Sequence, residues 1–154
     1  MRNLFKRNLL KDESGNAAIQ FIIYAGLISF MIFGSIDYWL TQQRISQVEF
    51  IKQYYLDRVR LEGCLTIDDE SSLISRLTAA QFNNITINTS AKESMGEPRI
   101  LRNSDDLDGS EIYLEIMCEP DPQPFLLAQL IGSPAPGPFT IDVKGRALSE
   151  RVDP

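Results

Sequence analysis

Residues 15 to 40 read Gly15-Asn16-Ala17-Ala18-Ile19-Gln20-Phe21-Ile22-Ile23-Tyr24-Ala25-Gly26-Leu27-Ile28-Ser29-Phe30-Met31-Ile32-Phe33-Gly34-Ser35-Ile36-Asp37-Tyr38-Trp39-Leu40. From Asn16 to Ile36 there are 21 consecutive residues without a formal charge. At ~1.5 Å per residue this run makes roughly 32 Å of helix, against a hydrocarbon core of ~30 Å. A core helix of a soluble domain keeps a polar stripe, whereas here Phe21, Ile23, Tyr24, Leu27, Ile28, Phe30, Met31, Ile32 and Phe33 cover every face. The pattern predicts a transmembrane helix over residues 16–40.

The preceding segment, residues 1–15, carries Arg2, Lys6, Arg7 and Lys11 against Asp12 and Glu13. A secretory signal peptide is disfavoured, because the apolar run exceeds an h-region of about 7 to 15 residues and Asp37-Tyr38-Trp39-Leu40 puts bulky groups where signal peptidase needs small ones. The positive charge before the span predicts a cytoplasmic N-terminus and an extracytoplasmic remainder. Tyr38 and Trp39 then fall where an interfacial aromatic belt is expected.

Beyond the span, Ile45, Val48, Ile51, Tyr55 and Val59 recur every three or four residues, with Gln42, Arg44, Glu49, Lys52, Gln53 and Arg58 on much of the other surface. No Gly or Pro lies between residues 35 and 62. Residues 41–62 therefore read as an amphipathic continuation, giving one helix of about 46 residues, Ala17 to Glu62, roughly 69 Å long. A coiled-coil stalk would share this periodicity, but the stripe is too short for sustained heptads.

Residues 63–154 must cover that stripe. Leu73, Ile74 and Leu77 follow an acidic start and predict a short second helix over Asp69 to Ala80. Alternation predicts strands at Asn84 to Thr89, at Arg99 to Arg102 and Glu111 to Glu119 as a hairpin, and at Phe139 to Val143. Prolines at 120, 122, 124, 134, 136 and 138 bracket an apolar segment, Phe125 to Ile131. The expected fold class is α+β: a long N-terminal helix packed on a small antiparallel sheet of three or four strands, with a short second helix.

Composition narrows the chemistry. The 154 residues suit one domain, and the formal charge of -6 argues against a nucleic-acid binder. The chain has no histidine, which removes imidazole-based nucleophile activation and the usual zinc hydrolase sites. The charge is uneven: residues 41–154 hold 11 basic and 18 acidic groups. The overall mean hydropathy, slightly below zero, averages a membrane-type helix with a polar domain.

A basic leader, a glycine and then at once an apolar helix is an arrangement cut by prepilin peptidase. Gly15-Asn16-Ala17-Ala18-Ile19-Gln20-Phe21 resembles the processing site of type IV pilin-like proteins, in particular the TadE-like minor pilins of tight adherence systems. The family pattern is glycine, four mainly small or apolar residues, glutamate, then an aromatic. Gly34-Ser35-Ile36-Asp37-Tyr38 is similar to the family's glycine and acidic residue closing the span, and Phe139 to Ala147 to its closing strands. Residues 64 to 110 match only in general organisation.

The resemblance implies cleavage between Gly15 and Asn16, helix assembly through Gln20 and Phe21, and a membrane-edge contact at Asp37. It implies a single-pass protein of a bacterial cytoplasmic membrane, N-terminus inside, or one incorporated into an extracellular pilus. The implied partners are the membrane, prepilin peptidase, other pilin-like subunits, and pilus or secretion machinery serving adhesion. Gln20 departs from the family, whose glutamate is thought to pair with a neighbour's freed amino terminus. Glutamine can accept a hydrogen bond from that ammonium but cannot neutralise it.

Two other classes stand beside this reading: an uncleaved bitopic scaffold of a conjugation or secretion complex, and a tethered hydrolase using Glu111 and Glu115. The second is weak, because four residues of strand separate those backbones by ~13 Å. No catalytic residue, metal site or cofactor is expected, and there is no phosphate-binding loop. Ser104 to Gly109 with Glu115 mimics calcium-loop spacing but starts on serine and lacks helical flanks. Asn84-Ile85-Thr86 and Asn88-Thr89-Ser90 match a glycosylation tripeptide that carries little weight in a bacterial host. Cys64 and Cys118 form a candidate disulfide, worth roughly 4 kcal/mol for a loop of this size; two buried thiols are the alternative.

Overall fold

A computed structural model describes residues 13–126, 132 and 137–152, with side chains described from residue 16 onward. Residues 1–12 of the leader, and 127–131 of the proline-bracketed segment, lie outside the described residues.

Helix α1 spans Glu13–Glu62, 50 residues and roughly 75 Å, without interruption. It starts four residues earlier than expected, so Gly15 sits inside its first turns instead of before them. Its end is built by Gly63, whose φ of 75° lets its N–H reach the Val59 carbonyl at 2.8 Å. Gly63 also accepts from the Ile100 N–H at 2.8 Å, and a Cβ there would lie 2.5 Å from the Ile100 carbonyl oxygen.

Helix α2 spans Ile67–Ala79 and is capped by Thr66, whose hydroxyl accepts from the Asp69 N–H at 3.2 Å. Three acidic residues occupy its first turn and Arg76 its last, matching the helix dipole. Leu73 and Leu77 are buried, whereas Ile74, expected on the same stripe, is exposed. Arg58 of α1 pairs at 2.8 Å with the buried Asp69 and clamps the two helices together.

Strands β1 (Phe82–Thr89), β2 (Glu111–Pro120) and β3 (Ile141–Leu148) form an antiparallel sheet in the order β1-β2-β3. Strict alternation buries Ile112, Leu114, Ile116 and Cys118 on one face of β2. A bulge between Asn83 and Thr86 is carried by Asn84 at φ 50°, a conformation asparagine tolerates. Arg99 to Arg102 is not a strand. Its backbone groups are committed elsewhere, Ile100 to Gly63 and Arg102 to the Arg151 carbonyl, so β2 takes β1 and β3 as neighbours instead. The last strand runs further than expected, to Leu148, and begins after Phe139.

The second half of α1 packs lengthwise on the inner face of the sheet. Val48, Tyr55, Leu56 and Val59 are buried against the core residues of β2 and β3, with Ile45 and Ile51 half-buried. Gly145 permits the close approach, since a Cβ there would meet Leu56 Cδ2 at 2.8 Å. Lys52, expected at the surface, is buried in this seam; its ammonium donates to the Lys144 carbonyl at 3.0 Å and pairs with Glu49. A buried cation is tolerated there because it has both an acceptor and a counter-charge.

Two outcomes test this packing. Gly63→Ala combines a left-handed backbone with a clash against Ile100, so it should cost about 2 kcal/mol or more in urea unfolding of the detergent-solubilised protein. Glu70 is pushed up by burial, but hydrogen bonds from Ser94 and Lys92 outweigh this and hold its carboxyl below the usual range. A folded-state value below the unfolded one stabilises above the unfolded pKa and is lost as pH falls through the folded value. Glu70→Gln should therefore lower stability at pH 7, leaving the buried Lys92 without its counter-charge, and the gap to wild type should close towards pH 3.

Candidate functional site

The feature that calls for a function is the first half of α1. Its most apolar 18-residue window has no residue buried by the rest of the chain, and Phe21, Ile22 and Met31 are each about 70% exposed, at 73%, 69% and 71%. The helix is long and apolar enough to cross a membrane. Two of its hydroxyls are met within the helix: the Ser35 hydroxyl donates to the Met31 carbonyl at 2.7 Å and the Thr41 hydroxyl to the Asp37 carbonyl at 2.8 Å. Such back-bonding lets a hydroxyl lie in an apolar environment without an unmet donor.

Asn16, Gln20 and Phe21 are all exposed near the start of this surface, and Gly15 lies in the helix just before them. Asp37 is 17 residues beyond Gln20, roughly 26 Å along the axis, so these residues mark opposite ends of one rod and do not converge. Asp37 does make a long-range contact that sequence reasoning missed. Its Oδ1 accepts from the Leu126 N–H at 2.9 Å, drawing the start of the β2–β3 connection against the helix. The signal available was the uncharged run from Pro122 to Ile141, which has no evident place in a polar domain.

Cys64 and Cys118 are both buried free thiols, so the expected bridge between them is not formed. Gly63 and Leu65 are tied to Ile100 and Ala91, close to where Ser90 meets Tyr113, which puts Cys64 towards the Glu111 end of β2. Cys118 is about five residues further along that strand, or ~17 Å, beyond the ~7 Å that a disulfide allows between Cα atoms. Burial pushes the Cys118 thiol up to about 11, and burial likewise raises Cys64.

Glu111 and Glu115 lie on the open face of the sheet, each held by a different cation. Lys144 contacts Glu115 at 2.6 Å while Asn88 donates to its other oxygen at 3.0 Å, and Arg146 faces Glu111 at 3.6 Å. The Lys144 hydrogen bond, then that of Asn88, holds the Glu115 carboxyl below its ordinary range, the opposite of what a general acid needs. In the 104–109 turn, the Asp106 carboxylate accepts from the Gly109 N–H at 3.0 Å and the Asn103 side chain from the Asp105 N–H at 2.9 Å. These oxygens close the turn on itself. Among the described residues no group of three acidic, cysteine or histidine side chains could hold a metal ion.

No family model matches this chain, and no curated protein or solved structure matches it.

The thiol placement has a direct check. In the native protein at pH 8, iodoacetamide should label neither cysteine within minutes, and both should react once the chain is denatured. Mobility should be the same on reducing and non-reducing gels; a shift between them would overturn the assignment of free thiols.

Proposed function

We propose that this chain is a pilin-like membrane protein, a minor pilin or pseudopilin of a type IV-related pilus or secretion apparatus. The observation that carries the reading is a single helix whose first half is bare and apolar while its second half is the backbone of a small α+β domain. Gly15 to Phe21, at the head of that helix, supplies the resemblance to TadE-like processing sites. The protein would insert with its N-terminus in the cytoplasm and residues from about 41 onward outside. Prepilin peptidase would cut between Gly15 and Asn16, leaving the apolar helix as the part that associates with the membrane and then with other subunits.

In this role the chain needs no reaction of its own. An apolar helix gains nothing from water on any face, so it exchanges lipid for neighbouring helices at little cost, and packing decides the association. Gln20 fits a position where charge is not paired across subunits: an amide is cheaper than a carboxylate in hydrocarbon and can still accept a hydrogen bond. The outer domain, with its paired charges on the open sheet face, would act as cap, adaptor or contact surface. The second reading, an uncleaved bitopic scaffold, is favoured by one observation, that α1 runs through Gly15 without a break.

Intact mass of the membrane-extracted protein separates the two. A mature chain beginning at Asn16 supports the pilin-like route, whereas Met1 to Gly15 retained in cells with active peptidase excludes it. Under the pilin-like reading, Gln20→Glu should alter assembly or subunit stoichiometry; unchanged values would remove Gln20 from any role in setting position.

A further inference from the structure

Twenty residues, 121–140, separate the end of β2 at Pro120 from the start of β3 at Ile141. This connection leaves the sheet at its end nearest the bare half of α1. Pro120 pairs with Phe82, over whose ring Arg44 lies at 5.7 Å, while the opposite end of the sheet meets α1 where the Glu150 N–H donates to the Arg60 carbonyl.

The connection is then fastened in three steps towards the apolar helix. The Asp121 N–H donates to the Gln81 carbonyl at 2.8 Å. The Gln123 side chain accepts from the Phe139 N–H at 2.9 Å, with the Phe125 and Phe139 rings edge to face at 6.0 Å. Last, the Leu126 N–H reaches the Asp37 carboxylate at 2.9 Å.

Asp37 is the first formal charge after the 21-residue uncharged run, and it is followed by Tyr38 and Trp39, both more than 60% exposed. The hydrogen bond therefore brings Leu126, itself 43% exposed, to the level at which the helix would leave a bilayer. The sequence has no charge from Pro122 to Ile141. Phe125 and Leu126, both uncharged and beside an aromatic belt, are poorly suited to open water and well suited to the headgroup boundary. Asp37 also meets a need specific to that depth, since a backbone N–H entering a water-poor layer requires an acceptor from the protein.

We propose that the start of the β2–β3 connection, Phe125 and Leu126, is a second membrane-contact element, resting in the boundary between headgroups and acyl chains of the leaflet through which α1 exits, with Asp37 as its tether. The ligand is the lipid surface itself. This rests on α1 spanning the membrane, and the native chain provides an internal control for that premise, because Trp39 is its one tryptophan.

The test uses two full-length proteins in phosphatidylcholine vesicles: the native chain, and a double variant carrying Trp39→Phe with Leu126→Trp, the latter on an exposed side chain. Lipid brominated at carbons 6 and 7 of one acyl chain should quench the fluorescence at position 126 at least twofold, as it does Trp39, and aqueous acrylamide should quench both weakly. Adding Asp37→Ala should abolish most of the lipid quenching at position 126, while Asp37→Asn, which keeps an acceptor oxygen, should preserve it. A position-126 probe that is quenched by acrylamide and not by brominated lipid, with Trp39 still lipid-quenched, overturns the proposal. Loss of lipid quenching at Trp39 itself overturns the spanning premise instead. Quenching at position 126 that is unchanged by Asp37→Ala overturns the tether.

Discussion

Val48, Tyr55, Leu56 and Val59 recur at helical spacing on the distal half of α1, and the inner residues of β2 and β3 close over them. Burying four side chains of this size is worth on the order of 8 kcal/mol before the entropy of ordering is set against it. Together with Arg44, which lies over the Phe82 ring of β1, this seam fixes both position and direction. With α1 laid along the strands, β2 must run back towards the apolar half. The β2–β3 connection consequently emerges beside Asp37, and the Gly63 turn and the Arg60 to Glu150 contact are left at the far end. Asp37 and Leu126, 89 residues apart in the chain, meet because of packing in which neither takes part.

Periodic features were legible in the sequence. The uninterrupted helix, its buried stripe and the alternation of Ile112, Leu114, Ile116 and Cys118 each state a local geometry that tertiary packing then uses unchanged. Isolated pairings were not legible. Lys52 sits at a position that reads as solvated, and only the meeting of α1 with β3 supplies the carbonyl that lets it be buried. Arg99 to Arg102 has strand-like composition, but its N–H groups are claimed by Gly63 and Arg151, partners 37 and 49 residues from the donors concerned. The two cysteines suggest a bridge by count and compartment, while register along β2 separates them. At the candidate site the residues of the apolar helix could be read directly, because exposure on every face is a property of composition. The Asp37 contact could not, since it depends on where the sheet stops.

The distribution of charge follows the same division. Acidic groups of the α+β domain are mostly held in pairs, Glu115 with Lys144, Glu70 with Lys92, Glu62 with Arg99 and Arg151. Exposed pairs such as Glu62 with Arg99 add little stability individually, but pairing keeps a domain with an excess of carboxylates from presenting one sign of charge across its surface. The bare helix has the opposite character, carrying no formal charge from Asn16 to Ile36. One continuous backbone thus joins two surfaces suited to different solvents, and residues 37 to 45 are the short interval in which one gives way to the other.

The lengthwise seam also determines how the molecule carries a pull. Tension applied between the apolar end of α1 and the α+β domain runs parallel to the strands, so the buried contacts from Val48 to Val59 and the Lys52 to Lys144 bond are loaded together in shear. A domain hung from a crossed or end-on contact would instead peel, one residue at a time. A helix that doubles as the spine of its own domain is a joint that resists being pulled out of it.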